Sequence, residues 1–391
     1  MANLEKKYFK EFYSQKYDKL IFIRNLLLKL AYKGILKRIF FLNDPEKVHD
    51  RMIIFGEKLG RYHITKKITS FLFNYKNSLL EQEILGIKFF QPIGLAAGFD
   101  KNARLTQILP KVGFGFAEVG SVTGEPCAGN PGRHLWRLPK DKSLLVYYGL
   151  KNDGCEVIAE SLVKLRFEFP VGVSIAKTND ESTVARGAGI RDYVKAYKIF
   201  NDKKIGDYFT INISCPNAFG GQPFHSKESL ELLLSAIFKE PKIKPVFIKI
   251  SPDLSFSELD DIIEVVRNHG VDGIITSNLI KTRRGLNIKD QTKIPSYGGF
   301  GGKLVKDKAD KQLEYLYNKT KGDLVLIGLG GVSSAEDAYR KIKLGASLVQ
   351  LITGMIYEGP QVIAEINQGL VKLLKRDGFK SISEAVGADV S

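Results

Sequence analysis

Cys215 stands in the run Asn212-Ile213-Ser214-Cys215-Pro216-Asn217, a thiol beside a proline with an amide on either side. A thiol so placed has the chemistry of a base or a nucleophile. The bland alternative is an inert buried cysteine, which is the reading for Cys127 and Cys155. Asn212, Asn217 and Asn278 are amides, and each offers donors and an acceptor to a ring of alternating C=O and N–H groups. Lys101 ends the run Ala96-Ala97-Gly98-Phe99-Asp100-Lys101, whose small residues let backbone approach a flat ligand and whose lysine sets a charge beside it. Lys249 lies inside the apolar run 246–251, and a buried lysine needs an anionic partner. That partner is either a ligand edge that gains negative charge or a carboxylate of the core. Gly330-Gly331 and Thr353-Gly354 close two further apolar runs with turns whose backbone N–H groups suit a phosphate.

These residues need elements to bring them together. Short apolar runs fall at 92–97, 116–121, 171–176, 208–214, 246–251, 272–278, 324–330 and 348–354. Helix-like patterns lie between them at 191–201, 227–238, 256–268, 308–319 and 335–344, with a last one after Gly359. Buried strands alternating with helices predict a parallel sheet, and eight of them predict an α/β fold closed as a (β/α)₈ TIM barrel. The candidate residues then sit at strand ends, where barrel enzymes place their sites, and the glycine turns follow strands seven and eight, where barrel phosphate sites recur. A phosphate-bearing flavin fits both this cradle and Lys249, which would face the N1/O2 edge where reduction builds negative charge. The connections 122–152 and 279–306 are too long for simple loops and leave the same ends of their strands, as functional loops do.

The net charge of +16 allows a nucleic acid, an anionic membrane or an acidic substrate as partner. Residues 1–80 hold 17 Lys and Arg against 7 Asp and Glu, so the charge is concentrated there and no nucleic-acid groove is expected along the barrel. The segment 19–40 is apolar but interrupted by Arg24, Lys29, Lys33, Lys37 and Arg38, which argues against a spanning helix. Lys29, Lys33 and Lys37 share one helical face, as in a basic amphipathic helix lying on an anionic membrane. The same pattern fits a helix packed on the barrel with a solvated lysine edge. Asn43 or Asp44 would cap a second helix with Pro45 in its first turn and Gly60 just past its end, and a third apolar run covers 68–75. The chain thus divides into a basic helical appendage, 1–80, and a barrel, 81–391. Three cysteines without a C-x-x-C pair suit a reducing compartment, and five scattered histidines lack ligand spacing, so no metal centre is expected.

With these pieces in place the chain resembles the dihydroorotate dehydrogenases, and most nearly their quinone-dependent class 2 branch. The resemblance runs from about Leu42 to Val390 and rests on the stretches 94–101, 113–116 with 119–123, 129–131 with 137–139, 249–254, 330–334, 345–350 and 385–389. It implies FMN, oxidation of dihydroorotate to orotate in pyrimidine biosynthesis, and electron delivery to a membrane quinone. It places Ala97, Gly98, Lys101, Ser121, Asn212, Lys249, Ser277, Gly302, Gly331 and Thr353 on FMN, and Lys101, Asn212, Asn217 and Asn278 on the substrate. Asp44-Pro45-Glu46 followed by His49 resembles the helical cap that forms the quinone entrance. A peripheral membrane location on the cytoplasmic face, or at the mitochondrial inner membrane in a eukaryote, follows from the same likeness. Cys215 occupies the position of the catalytic base, which is serine in class 2 and cysteine in class 1. Val146, Ser174 and Leu279 stand where the family carries Asn, Asn and Thr. Another pyrimidine-type flavin oxidoreductase, or an FMN-binding barrel without turnover, would share most of these features.

Overall fold

The computed structural model describes residues 2–219, 221, 224–290 and 294–390, with side chains described from residue 16 onward. Helix α1 (Ala2–Ala31) runs through a π-helical turn, Tyr32–Leu36, into α2 (Lys37–Leu42). Helices α3 (Pro45–Arg61) and α4 (His63–Phe73) follow. The Asp44 carboxylate caps α3 by accepting from the N–H groups of Glu46 and Lys47, with Pro45 in the first turn. Gly60 lies inside α3 rather than past its end. A side chain there would press on Gln107 at 3.1 Å, so this glycine serves close approach to the barrel, not termination. The third helix begins at His63, five residues before its apolar run, because the extended Tyr62 ends α3 and lets a new helix start at once.

The eight expected strands are present: β1 (Ile93–Leu95), β2 (Phe116–Val122), β3 (Val171–Ile175), β4 (Tyr208–Asn212), β5 (Val246–Lys249), β6 (Gly273–Thr276), β7 (Val325–Leu329) and β8 (Leu348–Leu351). Each pairs in parallel with the next, and β8 pairs with β1, so the sheet closes. After β1 comes only a short helix, α5 (Leu109–Val112). The later connections carry α6 (Cys155–Leu162), α7 (Arg186–Asp202), α8 (Lys227–Ile237), α9 (Phe256–Asn268), α10 (Lys306–Thr320) and α11 (Ala335–Lys343). Beyond β8 lie α12 (Thr353–Glu358) and α13 (Val362–Asp377). A hairpin of Gln82–Ile84 and Ile87–Phe89, not legible as strands beforehand, brings Phe89 against Phe116, Tyr208 and Phe247. That aromatic layer fills the bottom of the barrel, each buried ring contributing about 1.5–3 kcal/mol.

The two long connections meet. Leu135–Leu138 and Ser143–Val146, both between β2 and β3, form a three-stranded antiparallel sheet with Gly299–Gly302, between β6 and β7. This small sheet stands over the mouth of the barrel.

The lysine face of α1 and α2 turns inward. Lys29 pairs with Glu365 of α13 at 2.9 Å, and Lys33 pairs with Glu358 at the end of α12. The Lys37 ammonium lies 5.2 Å over the Phe41 ring and 5.1 Å over the Tyr357 ring. Tyr32 donates its hydroxyl to Ile356 O at 2.7 Å, and Gln368 donates to Asp18 O at 2.6 Å. The helix is therefore seated on the barrel by the face that carries Lys29, Lys33 and Lys37. An apolar stripe faces outward, with Leu20, Leu27 and Leu30 61%, 62% and 61% exposed and Phe71 of α4 77% exposed, beside the exposed Lys16, Lys19 and Arg38. No helix among the described residues is long and apolar enough to cross a membrane.

Candidate active site

The C-terminal mouth of the barrel holds a cleft of about 1310 Å³, counting the space open to solvent. Parallel strands end there together, so residues far apart in sequence meet. The cleft is lined by Ala97, Gly98, Lys101, Ser121, Asn212, Cys215, Asn217, Lys249, Ser277, Asn278, Gly302, Gly330, Gly331, Thr353 and Gly354. These are all of the residues assigned from the sequence to cofactor, substrate or base.

On one side the turns after β7 and β8 touch. Gly330 and Gly331 have left-handed backbone, with φ of 98° and 77°. A side chain on Gly354 would fall 2.1 Å from Val332 O, and one on Gly331 would fall 2.5 Å from the Lys306 side chain. Only glycine permits this approach of backbone to backbone.

The floor is a polar network across strand ends. Ser121 and Ser174 share a hydrogen bond of 2.7 Å, and Asn212 donates to Ser121 Oγ at 2.9 Å. Ser214 donates to Asn212 Oδ1 at 3.0 Å, and Asn278 donates to Ser214 Oγ at 2.9 Å. Ser277 Oγ is buried in the lining without a hydrogen-bond partner among the described residues. Asn217 behaves differently: its amide donates to Val146 O at 2.9 Å, tying the Cys215 loop to the small sheet. Lys249 is opposite Asn212 in register. It has the core carboxylate that the sequence left open as its partner, Glu118 Oε2 at 3.8 Å, while lining the cleft as well. Burial pulls the Lys249 pKa down and Glu118 opposes that.

Lys101 meets the appendage. Its ammonium lies 3.2 Å from His49 Nε2, on α3, and 3.8 Å from the centroid of the Tyr148 ring. Burial lowers Lys101 to about 8. Burial, with the nearby Lys101 charge, lowers His49 to about 3. The neutral imidazole therefore accepts from the ammonium. His134 stacks on the other aromatic neighbour, Tyr148, at 5.2 Å and binds Glu46 of α3 at 2.6 Å.

Burial pushes the Cys215 thiol up to about 11, outweighing the nearby Lys177 and Lys249 charges, which favour the thiolate. Leu135, Leu144, Tyr148, Leu150 and Lys151 also line the cleft and were not picked out as contacts. No spacing announces them, because they depend on how the connection after β2 folds back over the mouth. Leu135, Leu144 and Ile356 belong to the apolar cluster on which Phe41 of α2 packs, so the cleft has an apolar flank toward the appendage.

A closed barrel with a thiol, two lysines, amides and a glycine cradle at its C-terminal mouth is a (β/α)₈-barrel enzyme site. The dihydroorotate dehydrogenase family model matches residues 79–374, and the chain belongs to that family. It is 40% identical over 311 residues to dihydroorotate dehydrogenase (quinone) of Haloarcula marismortui, covering 80% of this chain and 86% of that protein. It is 35% identical over 375 residues to the protein of the same description from Trichodesmium erythraeum, covering 91% and 98%. Among solved structures it resembles DHODH from Eimeria tenella in complex with ferulenol, with a TM-score of 0.78 and 29% identity over 88% of this chain and 96% of that one.

Proposed function

We propose that this protein oxidises dihydroorotate to orotate in pyrimidine biosynthesis, using bound FMN and passing the electrons to a membrane quinone. The observation that carries the reading is that one cleft in a chain of this family gathers every residue expected to hold cofactor and substrate. The lining suits FMN: Gly330, Gly331, Thr353 and Gly354 form a backbone cradle for phosphate, and the unpartnered Ser277 hydroxyl offers a buried polar contact. Ala97, Gly98, Ser121, Asn212, Gly302 and Lys249 would complete that site. FMN, when bound, supplies the hydride acceptor.

The chain's own residues do the rest. The Lys101 ammonium holds the substrate carboxylate, and Asn212, Asn217 and Asn278 address the ring amides. The thiolate of Cys215, a small fraction at neutral pH because burial raises the thiol to about 11, takes the proton from substrate C5 as hydride leaves C6. The small sheet over the mouth excludes water. Val146 and Leu279 offer alkyl groups where the family offers polar ones, so the substrate is held by fewer hydrogen bonds. Residues 1–80 form the membrane and quinone-entrance segment, and 81–391 the FMN barrel. The outward apolar stripes of α1 and α4 support peripheral attachment at the cytoplasmic face, and the apolar flank of the cleft supports quinone entry beneath α2 and α3. Dihydroorotate added anaerobically should bleach the bound flavin, and quinone should restore its colour. A flavin that stays oxidised would overturn the reading.

A further inference from the structure

Lys249 is placed to act on whatever fills the cleft, yet it is not alone. Its side chain is 3% exposed, and Glu118, on β2, is wholly buried and outside the lining. The two carboxylate oxygens are treated unequally. Oε1 accepts a short hydrogen bond from Thr210 Oγ1, whereas Oε2 has no hydrogen-bond partner among the described residues and lies 3.8 Å from Lys249 Nζ. A carboxylate fixed by one oxygen, with the other aimed at a buried ammonium, is a counterion built into the barrel interior.

We propose that Glu118 is a positioning residue that holds Lys249 as an ammonium in both the oxidised and the reduced state of the bound flavin. The inference rests on the FMN reading above. Its physical basis is that a buried lysine without a counterion sheds its proton. With Glu118 in place, two-electron reduction takes up one proton, at the flavin, and the charge left on the flavin meets an ammonium already present. Without the carboxylate, Lys249 is neutral beside oxidised flavin. It takes up a second proton from solvent when reduction adds negative charge. Glu118 thus decides whether the lysine's proton is part of the redox step.

The other titratable groups around the pair do not supply that proton. Burial pushes the Cys215 thiol up to about 11 and the Tyr208 phenol, beside Glu118, well above its ordinary value. Both stay neutral near pH ~8. Burial lowers Lys249 itself, and Glu118 is the largest opposing influence. Lys101, lowered to about 8, titrates in wild type and variant alike and cancels in their comparison.

The test is the flavin midpoint potential, measured spectroelectrochemically against pH from about 7 to 9 in wild type and Glu118→Gln, since one extra proton in a two-electron couple adds about 30 mV per pH unit. The wild type should change by one proton per two electrons, and the variant by two. A variant with the wild-type slope, whatever its absolute potential, would overturn the proposal. Should the glutamine variant not accumulate as folded protein, Glu118→Asp draws the carboxylate back by one methylene and should give an intermediate slope; an unchanged slope there also overturns it. Wild type that binds no FMN even after reconstitution would refute the functional reading and this proposal with it. Flavin present with equal slopes refutes the proposal alone.

Discussion

Attachment to a membrane should depend on leucines and hardly on lysines. Lys29 and Lys33 of the N-terminal rod are paired with Glu365 and Glu358, so they are unavailable to lipid headgroups. Leu20, Leu27 and Leu30 lie on one helical face and are 61%, 62% and 61% exposed. Full burial of a leucine is worth about 1.5–3 kcal/mol, so at this exposure each contributes about 1–2 kcal/mol and the three together about 3–6 kcal/mol. At about 1.4 kcal/mol per tenfold, changing all three to glutamine should weaken vesicle binding by about 10²- to 10⁴-fold. The side chains are exposed, so folding and flavin content should survive and serve as controls. Raising salt to about 0.5 M screens surface charge and should weaken the wild type by less than about tenfold. Sedimentation with vesicles of mixed neutral and anionic lipid reads both effects. Binding that collapses in salt and ignores the leucine changes would refute the reasoning and restore the basic edge as the membrane contact.

The remaining expectations concern the cleft. Cys215→Ala should slow flavin reduction by dihydroorotate about 10²- to 10⁴-fold with FMN retained, as for loss of a general base, and near-normal reduction would exclude that role. Because burial raises this thiol to about 11, iodoacetamide labelling of Cys215 at neutral pH should be slow and should climb with pH across the alkaline range; a plateau near pH ~7 would contradict the burial argument. Lys101 has a pKa lowered to about 8, so the ammonium that holds an anionic ligand is present below that value and lost above it. Orotate affinity should therefore fall as pH rises through about 8, and a flat titration by flavin absorbance would remove Lys101 from the ligand. Val146→Asn should tighten orotate by about 2- to 10-fold, the worth of one hydrogen bond. The carbonyl of residue 146 would still accept from Asn217, and unchanged affinity would show that this side chain does not touch the ligand.

The amino-acid order by itself determined the barrel and the membership of its site. Eight buried runs alternating with helices leave few other closed arrangements, and parallel strands deliver their C-terminal residues to one mouth. Cys215, Lys249, Gly331 and Thr353 could therefore be placed together from their positions at strand ends. Helix periodicity also located the N-terminal helices, but a period specifies faces and not neighbours. Two faces of α1 were competent to dock, and only the tertiary structure decided between them, because Glu358 and Glu365 lie about 330 residues away on the helices that receive it. The long connections were equally undetermined. Their strands pair across a sequence gap of about 150 residues, which no local pattern encodes, and with that pairing came Tyr148, Leu144 and the lid. The same holds for charge. The sequence put a lysine near a thiol, but the thiol's raised pKa, the Glu118 counterion of Lys249 and the neutral His49 on Lys101 all depend on how much water the packed barrel excludes, a quantity that exists only in three dimensions.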